Sequence, residues 1–143
     1  MSAPLRVERI VGAVPDRVWL AFTTPDGLRR WWWPHLPGTT HTVDLRPGGH
    51  YRLENVGAGI GVRGEFETID TPHRFSATWI WLNAGIDGID EHVDVRFEPH
   101  PDGTRLVILH TGPWSSPEPA EAYALGWRDT LDVLVAQLNR GPA

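Results

Sequence analysis

Two side chains in this sequence combine acid/base chemistry with positions from which both can reach one space. His110 ends the segment Thr104 to His110, where strand alternation puts Leu106, Ile108 and His110 on one face and Val107 and Leu109 on the other. Tyr123 lies further on in a helical segment, with Trp127 one turn along the same face. An imidazole with an ordinary pKa of about 6.5 accepts a proton at neutral pH, whereas a phenol near about 10 polarises a carbonyl without ionising. The pair therefore reads as a catalytic candidate, with His110 the proton acceptor and Tyr123 the donor. The plainer reading makes His110 a hydrogen-bonded core residue that extends an apolar row.

The other candidates are aromatic. The chain has 8 Trp against 4 Phe and 2 Tyr. Much of its aromatic surface thus carries an N–H that needs a partner when buried, or sits at a half-wet boundary such as a pocket wall. Trp79 and Trp81 alternate with Ile80 and share a strand face with Phe75 and Ala77. Trp31, Trp32 and Trp33 are consecutive at the end of an expected helix, where neighbours diverge by about 100° and cannot all reach one core. Either two pack and one is a surface aromatic, or Trp32 and Trp33 form a pocket rim. Leu106, Ile108, Trp114 and Trp127 complete the set of expected ligand contacts.

Other chemistries are excluded by composition or spacing. With no Cys, there is neither a thiolate nucleophile nor a Cys-based metal site. His92 and Asp94 share a strand face, but two ligands fall short of the three or four a metal site needs, so no metal is expected. Gly57 to Gly61 lies between strands rather than before a helix and reads as a hairpin turn, not a phosphate cradle. No Gly-x-Ser-x-Gly occurs, and no cofactor is expected. A net charge of -5 without a basic cluster argues against nucleic acid. No apolar run approaches a membrane span, and Met1 to Leu5 lacks signal-peptide character, so a cytoplasmic protein is expected. Glu65, Glu67, Arg96 and Glu98 read as solvated strand faces.

These residues are carried by many short elements punctuated by Pro and Gly. A strand over Leu5 to Val14 is followed by a helix from Pro15, then by a second helix that Thr24 caps, Pro25 opens and Pro34 ends. Strands follow at 41–45, 50–55, 62–69, 74–81, 91–98 and 104–110, with 83–90 read as a loop. Connections this short force antiparallel neighbours. A long helix from Pro117 to Asn139, announced by a capping box of Ser115 and Glu118, spans about 34 Å. Its apolar stripe contains Tyr123, Trp127, Leu131, Leu134 and Leu138, and must lie on the sheet.

The element order, together with Arg30-Trp31-Trp32, Asp44 to Gly49, Gly64 to Arg74 with Thr78-Trp79, Gly103 to Leu106 with His110, and Gly126-Trp127, resembles the SRPBCC or START-like superfamily. Within it, the likeness is to the branch named after the activator of heat-shock protein 90 ATPase. The resemblance covers nearly the whole chain, 1–143, as a single domain. It implies an α+β helix-grip fold: a curved antiparallel sheet of about seven strands around a long C-terminal helix, two short helices after strand 1, and an internal cavity. Relatives bind lipids, hormones, flavonoids or polyketides, and some are cyclases. The expected function is therefore binding of a small apolar or aromatic molecule. One alternative is a polyketide cyclase-like enzyme. Another is a co-chaperone-like interaction module with Trp31 to Trp33 exposed as an apolar patch, of which homodimerisation is a milder version.

Overall fold

The computed structural model describes residues 4–139. The ends of the expected domain, 1–3 and 140–143, lie outside the described residues. Seven strands form one antiparallel sheet: β1 (Leu5–Val11), β2 (Thr40–Val43), β3 (His50–Asn55), β4 (Ile60–Asp70), β5 (Arg74–Asn83), β6 (Ile86–His100) and β7 (Gly103–Thr111). Their order is β1-β7-β6-β5-β4-β3-β2. Strands β2 to β7 are a hairpin meander, and β1 closes against the last of them, with Leu5 opposite His110 and Val11 opposite Thr104. The short helices α1 (Pro15–Thr23) and α2 (Pro25–Arg29) follow β1, and α3 (Glu118–Asn139) ends the described chain. This is the expected α+β helix-grip architecture.

Local chemistry accounts for the elements and for three departures from expectation. Pro15 and Pro25 open their helices, and the Thr24 hydroxyl accepts the Gly27 N–H at 3.0 Å as an N-cap. α2 nevertheless ends at Arg29, well before Pro34. Arg30 and Trp31 close it with i to i−3 bonds to Gly27 and Leu28, because Trp31 turns inward and donates its indole N–H to the Ala21 carbonyl at 2.8 Å. The tryptophans thus sit in a turn rather than on a helix. The stretch expected as a loop at 83–90 is mostly strand. Ala84 and Gly85, at φ 53° and 79°, make a two-residue turn of the mirror-image type that suits hairpins. Residues 86–90 continue the ribbon in solvent on both faces, so no alternation marked them. At the far end, the Glu121 N–H bonds to the Pro117 carbonyl, so Ser115 is not the cap of α3.

One core lies between the concave sheet face and the helices. Trp19 and Phe22 of α1 meet Phe75 and Phe97 of the sheet at centroid distances of 5.3 to 6.4 Å, mostly edge to face, the geometry that aromatic quadrupoles favour. α3 buries Trp127, Leu131 and Leu134 on the same side.

Candidate functional site

The second half of α3 is sealed onto the sheet by leucines, but its first half stands off. Between that half, β5 and the Trp31 to Trp33 turn lies a cleft of about 400 Å3. Its wall is Trp32, Trp33, Trp79, Trp81, Tyr123 and Trp127, with Pro119, Ala122, Gly126 and Thr130. A volume of this order is what a drug-sized ligand needs, on the scale of about 300 to 1,000 Å3. A second void of about 50 Å3 lies deeper, against Phe22, Leu53, Phe66, Phe75 and Val95 among others. Trp32, Trp79 and Trp127 border both spaces and form the partition between them.

The rim is held from behind by polar side chains. His41 Nε2 lies 3.0 Å from the Trp32 carbonyl. The buried Asn55 carboxamide donates toward the carbonyls of Leu36 and Pro37 and the Thr39 hydroxyl at 3.0 to 3.3 Å. Trp33 has φ 54°, a left-handed conformation that costs a non-glycine residue about 1 kcal/mol or more and persists only when its surroundings impose it. Asn55→Ala removes part of that restraint. The expected result is a loss of about 2 kcal/mol, with hydrogen exchange speeding up selectively between Trp32 and Thr39. Unchanged exchange there would show that Asn55 does not hold the rim.

Behind the wall lies a buried hydrogen-bond network centred on Glu91, which is 3% exposed. Its carboxylate is 2.9 Å from His110 Nε2 and 2.9 Å from Trp114 Nε1. Trp127 Nε1 donates to His110 Nδ1 at 3.1 Å, and Trp79 Nε1 donates to the Tyr123 hydroxyl at 3.3 Å. An indole nitrogen only donates. Nδ1 is therefore the acceptor, and Nε2 carries the proton given to Glu91. The Tyr123 and His110 rings pack with their centroids 4.2 Å apart, tilted by 37°. Burial pushes the Glu91 carboxyl up, but hydrogen bonds from His110, Trp114 and Tyr123 outweigh it and hold the group below its ordinary range, so it is ionised at neutral pH. Burial and the Glu91 charge raise the Tyr123 phenol well above its ordinary value, so it stays protonated. Gly112 makes room for this arrangement, since a Cβ there would overlap Trp114 Nε1.

The expected site residues are thus sorted by the fold. Trp32, Trp33, Trp79, Trp81, Tyr123 and Trp127 come together on the cleft wall. Phe75 faces the deeper void instead. Leu106 and Ile108 are fully buried in the same core cluster as Leu131 and Leu134, and they line neither space. His110 and Trp114 sit behind the wall, tied to Glu91. The wall residues Pro119, Ala122, Gly126 and Thr130 were not expected, because small side chains leave no signal in an apolar pattern. Glu91 was missed although it has the parity of Val93, Val95 and Phe97, which are all buried. His92 pairs with Glu67 at 3.4 Å and Asp94 with Arg74 and Arg96. Among the described residues, no group of three or more His, Asp or Glu is placed to hold a metal, and no helix is long and apolar enough to cross a membrane.

Known structures place this arrangement in context. The AHSA1 protein from Silicibacter pomeroyi is 26% identical, with 98% of this chain and 100% of that chain covered and a TM-score of 0.78. CalU16 from Micromonospora echinospora is 27% identical over 90% of this chain and 70% of its own, with a TM-score of 0.67. DynU16, a protein of the dynemicin biosynthetic locus, shares the fold at 21% identity and a TM-score of 0.82, over 99% of this chain and 49% of its own. No curated protein matches the sequence significantly. The pattern of the family described as Activator of Hsp90 ATPase homolog 1-like protein matches residues 12–139, and with the helix-grip sheet this shows that the chain belongs to that family of the START-like superfamily.

Proposed function

We propose that the protein binds one small, largely apolar or aromatic molecule non-covalently in the cleft under the first half of α3. The observation that carries this reading is the wall itself, in which the indoles and phenol of Trp32, Trp33, Trp79, Trp81, Trp127 and Tyr123 surround about 400 Å3 and no charged side chain takes part. Such a wall rewards apolar surface and offers no counter-ion to an anionic ligand. Burying about 300 Å² of ligand at about 25 cal/mol/Å² yields roughly 7 to 8 kcal/mol gross. Ordering costs reduce this to roughly micromolar or millimolar affinity before polar contacts add to it. Native mass spectrometry of the protein exposed to an organic extract of its host should show one retained small molecule per chain. A chain that emerges bare, and stays bare with simple bicyclic aromatics, would refute the reading.

A second reading, a polyketide cyclase-like enzyme, is favoured by one feature: the protonated Tyr123 hydroxyl stands on the wall with the Glu91 and His110 pair behind it. Tyr123 can donate to a substrate carbonyl only by giving up its hydrogen bond to Glu91. His110 can take up a proton only by giving up its bond from Trp127. DynU16 belongs to a biosynthetic locus, which suits either a carrier or a cyclising enzyme. Mass analysis after incubation with aromatic polyketones separates the two readings, since loss of water from the substrate marks an enzyme and an unchanged bound mass marks a carrier. The interaction-module alternative depended on exposed tryptophans, yet Trp31 and Trp32 are 1% and 5% exposed and Trp33 is half-buried.

A further inference from the structure

Most of the interior indoles have a hydrogen-bond partner. Trp31 donates to Ala21, Trp79 to Tyr123, Trp114 to Glu91 and Trp127 to His110. Trp32 breaks the pattern. Its Nε1 is buried without a partner, the only side-chain nitrogen or oxygen among the described residues in that state. Its ring lies in the partition between the cleft and the deeper void. The surrounding rings of Trp31, Trp79 and Trp127 meet it at 68° to 81°, but aromatic faces are only weak acceptors. Leaving a buried donor unpaired is unfavourable, and each such atom calls for an explanation.

We infer that the cleft takes a neutral aromatic molecule bearing a hydrogen-bond acceptor oxygen, a ketone or ether, seated against Trp32 Nε1. The inference rests on the binding reading above and adds polarity and orientation to it. The acceptor is neutral because a buried carboxylate, Glu91, lies behind the wall, and no cation lines the cleft to offset a second anion. The ligand oxygen points inward at the partition, and its apolar body lies outward between Trp33, Trp81 and Tyr123. A water molecule is a poor substitute, since it needs about two to four polar partners, and the other N–H and O–H donors of the side chains bordering the deeper void, on Trp31, Tyr51, Trp79 and Trp127, already bond to Ala21, Thr78, Tyr123 and His110.

A matched pair of probes, 1-tetralone and tetralin, tests the inference, since they differ by the carbonyl and little else. The ketone is expected to bind about tenfold more tightly, the effect of one buried hydrogen bond. In a ¹⁵N–¹H spectrum, the Trp32 indole proton should move downfield with tetralone and not with tetralin. In Trp32→Phe the affinity ratio of the two probes should fall toward one. If that variant fails to fold, backbone-based assignment of the indole signals and the wild-type affinity ratio still decide. Equal affinity for the two probes, or a downfield shift confined to another indole, overturns the acceptor assignment while leaving binding in place. If neither probe binds, the assignment and the binding reading fall together.

Discussion

Glu91→Ala is expected to destabilise the protein by about 3 to 5 kcal/mol and to lower its melting temperature by roughly 10 to 15 °C. The substitution leaves His110 Nε2 and Trp114 Nε1 as buried donors without an acceptor and opens a cavity where the side chain was. Because the same carboxylate orients His110 and, through it, Trp127, the cleft wall should loosen as well, so any ligand affinity falls with stability. His110→Ala alone is also costly, since it removes a donor from a buried carboxylate. The double variant should cost less than the sum of the two, as members of one network are not additive. The pH dependence has a definite sign. The folded Glu91 carboxyl is held below its ordinary value of 4.5, so its contribution is complete above the unfolded pKa and is lost as pH falls through the folded one. Asp94, which burial pushes up but Arg74 and Arg96 hold low, adds to the same acid slope. The diagnostic is therefore the difference between wild type and Glu91→Gln. Urea unfolding at neutral pH should separate them widely, and the gap should narrow below about pH 4.5. A gap that stays constant would mean that Glu91 is not ionised in the folded protein.

Gly126→Phe is expected to abolish ligand binding, by about 100-fold or more, without unfolding the chain. Gly126 lines the cleft, and a Cβ built on it meets nothing within 4 Å. A phenyl group there can fold across the cleft, into the space the ligand would use. The cost to the fold is small or negative, because glycine in a helix interior is about 0.5 to 1 kcal/mol worse than alanine. Gly126→Ala is the companion variant, expected to raise the melting temperature slightly and to trim the cleft by one methyl group. Calorimetric titration with a bicyclic aromatic, alongside thermal melts, checks both. Undiminished binding in Gly126→Phe would place the ligand elsewhere.

How much of this was legible in the sequence depended on whether a residue's role followed a period. The meander, the two short helices and α3 were readable because alternation and the helical stripe are set by burial on one side. The ribbon beyond Asn83 was not, since residues 86–90 are exposed on both faces and have no side to record. The end of α2 was misplaced because Pro34 is a plain stop signal, whereas the hydrogen bond from Trp31 to Ala21 that ends the helix earlier is a tertiary contact. At the site, the large aromatics were found by type and parity. Leu106 and Ile108 share that parity but are buried in the core cluster that holds Leu131 and Leu134, and no local pattern tells which half of a helix stands off a sheet. Glu91 was recoverable from its parity with Val93, but its charge argued for solvent until His110 and Trp114 were seen to surround it.

The pairing of β1 with β7 also shapes the order of assembly. Every other strand pairs with a neighbour in sequence, so the meander can zip through local hairpins. Joining Leu5 to His110 instead closes a loop of about a hundred residues, and such long-range closure slows folding. During synthesis at about 5 to 20 residues per second, β1 waits roughly 5 to 20 s for its partner strand to be made. Until it docks, β7 is an open sheet edge, and the Gly12 N–H has not met Asn139, whose side chain ties the end of β1 to the end of α3 at 2.7 Å. The nascent chain therefore passes through a stage in which the sheet is nearly complete but its closing strand is still free to pair with another molecule.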